Sequence, residues 1–325
     1  MRYKKDRANV TFDAASLYTY EKMRRDLYLF QNCFPHMTLR KAGMSRDRRD
    51  IYEVLLGNRD AGNHILIQAS IHGREYINTL LIMKQLKYFL EQEETTDDIC
   101  FHILPMTNPD GVTISQKGPG AIRDSGLRSR LQKCFRQDSK SFKTGGRQGK
   151  ISEPDDERYW KRWKANAEGV DLNRNFDSGW AACRGAERPS CEQYKGTSPA
   201  SEPEVQAILK VADENPPVCT ISYHSSGPVI YWDYGSTGDV WSAGKRLAGF
   251  VSTVTGYEKE STLQSGLDAA GCSDYFVLER GIPSVTIENG EGDSPIAYEE
   301  FDSIWKANQK LWPLLAARIN ELFPA

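Results

Sequence analysis

Histidine is scarce in this chain of 325 residues: His36, His64, His72, His102 and His224 are all there are. No apolar run approaches the roughly 18 residues that a membrane-crossing helix needs. Charge excess is missing too, since 42 basic and 44 acidic side chains leave a formal net charge of -2. That balance argues against a dedicated nucleic-acid binder, which presents a strongly basic face. Cys-x-x-Cys does not occur, which removes support for a cysteine-based zinc site or a thioredoxin-like redox site. The seven cysteines are odd in number and scattered, a pattern of reduced thiols, although Cys183 and Cys191 bracket a short polar loop that a disulfide could staple. The charged start from Met1 to Arg7 is not followed by the apolar stretch of a signal peptide. A cytoplasmic location is the expectation, or an extracellular one if a leader has been removed. Internal repeats and clean linkers are also lacking, so one domain spanning 1–325 is expected.

What is present is an ordinary globular balance, with 39% apolar and 26% charged residues. Apolar positions at helical spacing mark residues 16–32. Short strand-like runs follow at 37–40, 51–56, 64–70 and 99–105, with a helix predicted over 75–90. Further on, the pattern predicts helices at 202–213, 239–253, 271–279 and 298–321, and strands at 218–223, 229–232 and 284–287. Such alternation predicts a three-layer α/β/α fold around a mixed, mostly parallel sheet. Residues 116–168 break the rhythm. They are rich in Gly, Arg, Lys, Ser and Asp, with Thr-Gly-Gly-Arg-Gln-Gly at 144–149, and read as a polar surface insertion with too few large apolar residues for a core.

His72 and Glu75 form a His-x-x-Glu where an apolar strand turns into a helix. The spacing lets an imidazole and a carboxylate converge on one point, as a divalent metal requires. Alone, the pair is equally readable as a surface ion pair at a helix start. His224 adds weight because it closes the strand Cys-Thr-Ile-Ser-Tyr-His and precedes a Ser-Ser-Gly loop. In open α/β sheets ligands gather beyond the carboxyl ends of strands. Two histidines and a glutamate there could supply three zinc ligands and leave a fourth position for water.

Six motifs then occur in an order that resembles the zinc carboxypeptidases of the carboxypeptidase A type. They are His-Gly-Arg-Glu-Tyr at 72–76, Asn-Pro-Asp-Gly at 108–111, Val-Asp-Leu-Asn-Arg-Asn-Phe at 170–176, Ser-Glu-Pro-Glu at 201–204, His-Ser-Ser-Gly at 224–227 and Thr-Ile-Glu-Asn-Gly at 286–290. The resemblance runs from about residue 10 to the C-terminus. It implies one Zn2+ held by His72, Glu75 and His224, with Glu288 as general base. A carboxylate suits that role because a metal makes a nearby water acidic enough to surrender its proton near neutrality. It implies that Asp171 holds a ligand histidine in its working tautomer. It implies that Asn173 and Arg174 grip a substrate carboxylate, which the planar guanidinium fork suits, and that Arg74 is a further substrate contact.

The sequence departs from the family at two places. Where the oxyanion-stabilising arginine follows a tryptophan, Trp163 is followed by Lys164 and preceded by Arg162. Lys164 fits by alignment and Arg162 by side-chain type. The mobile tyrosine of the digestive enzymes has no match, because residues 262–271 contain none and Tyr257 and Tyr275 lie outside. Around Ser273, the matching specificity region shows no acidic residue of the type a basic-residue carboxypeptidase wants.

Residues 163–176 and 224–232 are similar to the bacterial branch that cuts γ-D-glutamyl-meso-diaminopimelate bonds in cell-wall peptides. That similarity implies a muropeptide substrate, with Arg174, Asn173 and Asp233 facing its charged groups. An ordinary carboxypeptidase releasing C-terminal L-amino acids, or a non-catalytic wall-peptide binding module on the same fold, are the competing expectations. Neither nucleic acid nor membrane is expected as a partner, a monomer is expected, and the lack of a wall-anchoring repeat favours small soluble fragments.

Overall fold

Apolar runs bounded by turn residues assemble into one eight-stranded sheet in a computed structural model, which describes residues 17–92, 97–143, 156–262 and 270–324. The strands are β1 (Met37–Met44), β2 (Asp50–Gly57), β3 (Asn63–Ala69), β4 (Ile99–Leu104), β5 (Cys219–His224), β6 (Val229–Tyr231), β7 (Glu258–Glu260) and β8 (Ser284–Glu288), in the order β1-β2-β4-β3-β5-β8-β6-β7. The central four, β4-β3-β5-β8, run parallel, while β1, β2 and β6 join antiparallel to their inner neighbours. Both faces of the central strands are covered, which is why Ile65, Leu66 and Ile67 follow one another without a polar break.

The described helices are α1 (Tyr20–Cys33), α2 (Ile77–Gln92), α3 (Pro109–Lys117), α4 (Ser125–Lys143), α5 (Asp156–Lys161), α6 (Pro203–Glu214), α7 (Gly238–Thr255), α8 (Cys272–Leu278), α9 (Phe301–Asn308) and α10 (Leu311–Leu322). One face of the sheet packs on α1, α2, α7, α9 and α10 through Phe30, Leu81, Leu247, Ile304 and Trp312. The other packs on α6 and α8 through Ile208, Val211 and Phe276. The fold is therefore three-layered, helices on both faces of a mixed sheet. The predicted helix over 298–321 divides in two, because Pro313 has no N–H to donate one turn back. Strand β7 was not predicted: Glu258, Lys259 and Glu260 are all exposed at the sheet edge and carry no apolar alternation.

The polar reading of residues 116–168 needs correction. Leu127, Leu131 and Cys134 recur at helical spacing on α4 and meet Tyr159, Trp160 and Trp163 in a small core of their own. Asp138 is buried beneath it, accepting from Tyr159 (2.8 Å), Ser190 (2.9 Å) and Arg188 (2.8 Å). Charged residues between the apolar positions hid the period. The glycine-rich tract at 144–149 lies outside the described residues.

A group of acids is buried where α6 begins. Burial, with Asp110 and Glu202 close by, pushes the Glu204 carboxyl up to about 8. An unfolded glutamate titrates at roughly 4.3, so the native state binds this proton more tightly than the unfolded chain does. The stabilisation is complete below about pH 4 and is lost as pH rises through about 8. Glu204→Gln is accordingly expected to raise thermal stability over wild type at pH 9 by an amount on the order of a few kcal/mol, with the gap closing towards pH 4. Melting curves across that range would show a constant gap if Glu204 stays charged throughout.

Candidate active site

Strand ends and the turns that follow them bring the histidines together. Strand β3 ends at Ala69, and the chain enters a 3-10 turn, Gly73–Glu75, that leads into α2. His72 precedes this turn and Glu75 closes it, so the two side chains fall on one side. In the sheet, β5 lies between β3 and β8, and its last residue, His224, pairs with Glu288, the last of β8. All of these side chains thus emerge at the carboxyl edge of the parallel strands.

The turn is held in place by a motif elsewhere. Gly73 approaches Gly111 so closely that a β-carbon would lie 2.4 Å from its carbonyl, and one on Gly111 would lie 2.4 Å from the Ala165 oxygen. Asn108 caps α3 by accepting from the Gly111 amide (2.8 Å) and donates to the Ile71 carbonyl (3.0 Å). Asp110 accepts from Ser45 (2.8 Å), the Asp47 amide (2.7 Å) and Arg49 (2.8 Å). Asn-Pro-Asp-Gly at 108–111 is therefore the brace behind the His72 turn. The Gly73 amide also donates to the Lys164 carbonyl (2.9 Å), which ties the end of the small helical subcore to the same turn.

His72 Nδ1 lies 2.9 Å from Glu75 Oε1, His224 Nδ1 lies 3.0 Å from Glu75 Oε2, and the two imidazole Nδ1 atoms are 3.2 Å apart. Four ligands at roughly 2.0–2.1 Å from a tetrahedral zinc stand about 3.3 Å from one another, so these separations fit the edges of such a site. All three residues are buried. Burial works to raise the Glu75 carboxyl, but His72 and His224 outweigh it and hold it well below its ordinary value. Behind His72, the other ring nitrogen, Nε2, lies 3.2 Å from Asp171 Oδ1. Asp171 Oδ2 accepts from the Gln193 amide (2.9 Å). Its carboxyl is held far down despite burial, by His72, Lys164 and that amide.

Glu288 has the opposite setting. Desolvation, with the nearby Glu75 charge, pushes its carboxyl up to about 7, against the lowering pull of His224, Lys164 and Arg74. Its Oε2 is buried without a hydrogen-bond partner. A cavity of about 730 Å³, part of it open to solvent, lies beside it, lined by His72, His224, Glu288, Lys164, Asp171, Asn173 and Arg174.

Arg162 and Arg74 stand back from that cavity. Arg162 faces Asp293 at 3.9 Å, and Arg74 lies 3.5 Å from Glu192 and donates to the Arg162 carbonyl (3.3 Å). Asn173 Oδ1 accepts from the Cys272 amide (2.9 Å), and Arg174 donates to the Arg184 carbonyl (3.1 Å). Cys183 and Cys191 are not joined in a disulfide, nor are the other five cysteines in any, and Cys183 accepts from Arg174.

The region around Ser273 does line the far wall of the cavity, but sequence reasoning missed its neighbours there, Tyr231, Tyr234, Thr262, Asp274 and Thr286. Asp274 corrects the reading that this region has no acid. Burial pushes its carboxyl up to about 6, while backbone amides and Arg174 pull the other way. Its signal was present, one residue past Ser273, but nothing in the pattern pointed it inward. Asp233 is not on the wall: Thr262 donates to it twice, from its amide and its hydroxyl, both at 2.8 Å. Of the segment expected to carry a mobile tyrosine, residues 263–269 lie outside the described residues.

Partners behind a metal-binding histidine set its tautomer, and losing one typically costs ten- to a hundredfold in metal affinity. Asp171→Asn should weaken zinc binding by about that factor, read by competition with a chromogenic chelator. Unchanged affinity would mean that the His72–Asp171 contact does not orient the ring.

A zinc carboxypeptidase family profile matches residues 23–309. Gamma-D-glutamyl-L-diamino acid endopeptidase 1 of Lysinibacillus sphaericus is 29% identical over 303 residues, 89% of this chain and 69% of that protein. YqgT of Bacillus subtilis, an uncharacterised protein, is 26% identical over 92% of this chain and 77% of its own length. Among solved structures, thrombin-activatable fibrinolysis inhibitor superposes with a TM-score of 0.70 at 18% identity, over 97% of this chain and 80% of that one. Murein-tripeptide amidase MpaA of Escherichia coli O157 gives 0.52 at 17% identity, over 86% and 91%. These two share the fold. With its profile match extending over most of its length, this chain belongs to the zinc carboxypeptidase family and is a metallopeptidase.

Proposed function

We propose that this metallopeptidase hydrolyses the peptide bond between a γ-D-glutamyl group and meso-diaminopimelate in small muropeptides. The observation that carries this reading is the charge of the cavity wall. Arg174 and Asp274 line the same cavity beside the metal-ligand set, so a leaving group bearing both a carboxylate and an ammonium meets both partners. Diaminopimelate is such a group. The Lysinibacillus relative, named for cleaving a γ-D-glutamyl-L-diamino acid bond, agrees with it.

On this reading His72, Glu75 and His224 hold one Zn2+, which when bound polarises the scissile carbonyl and acidifies a water. Glu288 takes the proton on its unpartnered Oε2 and later delivers it to the leaving nitrogen. A carboxyl held near 7 is suited to both transfers. Lys164, on the cavity wall, steadies the negative charge that builds on the carbonyl oxygen, a role Arg162 is too far back to share. Arg174 and Asn173 receive the α-carboxylate of the leaving residue. Arg174 would serve equally for any free C-terminal carboxylate, which favours a general carboxypeptidase as the second reading. A pure binding module has no use for an unpartnered, proton-ready Glu288.

Glu288→Gln keeps the shape and removes the base. It should retain one bound zinc and lose at least about a hundredfold in kcat, the scale of a lost acid/base group. Full zinc occupancy with normal turnover would overturn the assignment. The substrate is tested with L-Ala-γ-D-Glu-meso-diaminopimelate, for which mass spectrometry should find L-Ala-D-Glu and free diaminopimelate, with hippuryl-type substrates cleaved far more slowly. Asp274→Asn is expected to lower kcat/KM on the muropeptide about tenfold, an ion-pair-sized loss of about 1.4 kcal/mol, and to leave hippuryl substrates within about twofold. Equal losses on both would remove Asp274 from substrate choice.

A further inference from the structure

We propose a second metal site, built from His64, Cys100 and His102, that takes a thiophilic borderline cation of the Zn2+ type at the end of the sheet away from the active site. It stands independently of the substrate reading. Register places the donors: β3 and β4 run parallel with His64 opposite Cys100 and Leu66 opposite His102. Side chains alternate along a strand, so His64, Cys100 and His102 share one face. Their donor atoms all lie within 4.8 Å of one another. His64 is the second residue of β3, whereas His72 lies beyond its other end, which is itself roughly 16 Å away at about 3.3 Å per extended residue.

The arrangement behind His102 is the one metal-binding histidines use. Its Nδ1 lies 2.7 Å from Glu53 Oε1, and Glu53 is fully buried and held by Arg40. The carboxylate accepts a hydrogen bond from Nδ1–H, which leaves the Nε2 lone pair facing His64 Nδ1 at 2.9 Å. His72 and Asp171 repeat the same carboxylate-backed pattern at the opposite end. Two imidazoles and a thiolate suit zinc over magnesium or calcium, which want oxygen ligands. His64 is only partly buried, so a cation has a path from solvent and a water completes the tetrahedron. On binding, the Cys100 S–H bond and the His64–His102 hydrogen bond give way to one S–metal and two N–metal bonds; the His64 proton moves from Nδ1 to its solvent-side Nε2 by exchange with water, and the thiol proton passes to buffer. The ion would join β3 to β4 and, through Glu53, to β2.

Cobalt separates this site from the catalytic one, because His72, Glu75 and His224 offer no sulfur. Metal-free full-length protein titrated with Co2+ should bind two equivalents, one of them accompanied by a thiolate-to-cobalt charge-transfer band in the near ultraviolet. Cys100→Ser and His64→Ala should each abolish the band and leave one equivalent and peptidase activity intact. His64 is the gentler substitution because it is the more exposed. A wild-type protein that binds one equivalent without the band refutes the proposal, and so does a band that survives both substitutions.

Discussion

The parallel register of β3, β5 and β8 is the constraint on which the site depends. Because the three strands end level, whatever follows each of them meets at one edge, and His224 and Glu288 are paired there by the ladder itself. A one-residue slip of β8 would turn Glu288 to the other face of the sheet and leave the cavity without its unpartnered oxygen. The core on the opposite face from Glu288 resists such a slip, since Val285 and Ile287 both point into it and are fully buried. Packing of ordinary aliphatic side chains therefore sets the chemistry, several ångströms from any of them.

Three carboxylates crowd this edge, and their surroundings divide the labour. Glu75 and Asp171 are each held down by imidazole neighbours, so they stay anionic, as the proposed ligand and brace must. Glu288 has burial and the Glu75 charge working on it in the same direction, and its carboxyl stands near 7. Like groups pushed apart in this way mark out which acid moves protons and which holds position. The division does not depend on which peptide occupies the cavity.

Most of the sheet could be read from the chain because the central strands are short unbroken apolar runs between turn signals. The grouping of His72, Glu75 and His224 was legible for a similar reason: His72 and Glu75 lie in the turn after one such run and His224 closes another. What escaped reading depends on long-range contact. The helix at 125–143 was hidden because its apolar positions are scattered among lysines and arginines, and their partners, Tyr159, Trp160 and Trp163, come later in the chain. The choice between Lys164 and Arg162 had no local signal either. In the structure they differ in place: Lys164 lines the cavity and its carbonyl accepts from Gly73, while Arg162 faces Asp293.

The wall formed by Tyr231, Tyr234 and Asp274 shows why substrate choice is harder to read than reaction type. A metal site needs a fixed set of donors at a fixed spacing, but a pocket needs only a shape and a few charges, which many sequences can supply. Asp274 illustrates how one such charge discriminates. Desolvation keeps its carboxyl near 6 even with Arg174 nearby, so its anionic form is costly unless a further cation faces it from the cavity. A leaving group with an ammonium removes that cost by lowering the carboxyl further, while an apolar side chain adds to it by excluding water. On the proposed substrate reading, the same buried acid would favour the amine-bearing substrate and penalise the neutral one, so that selectivity would arise on both sides of the difference.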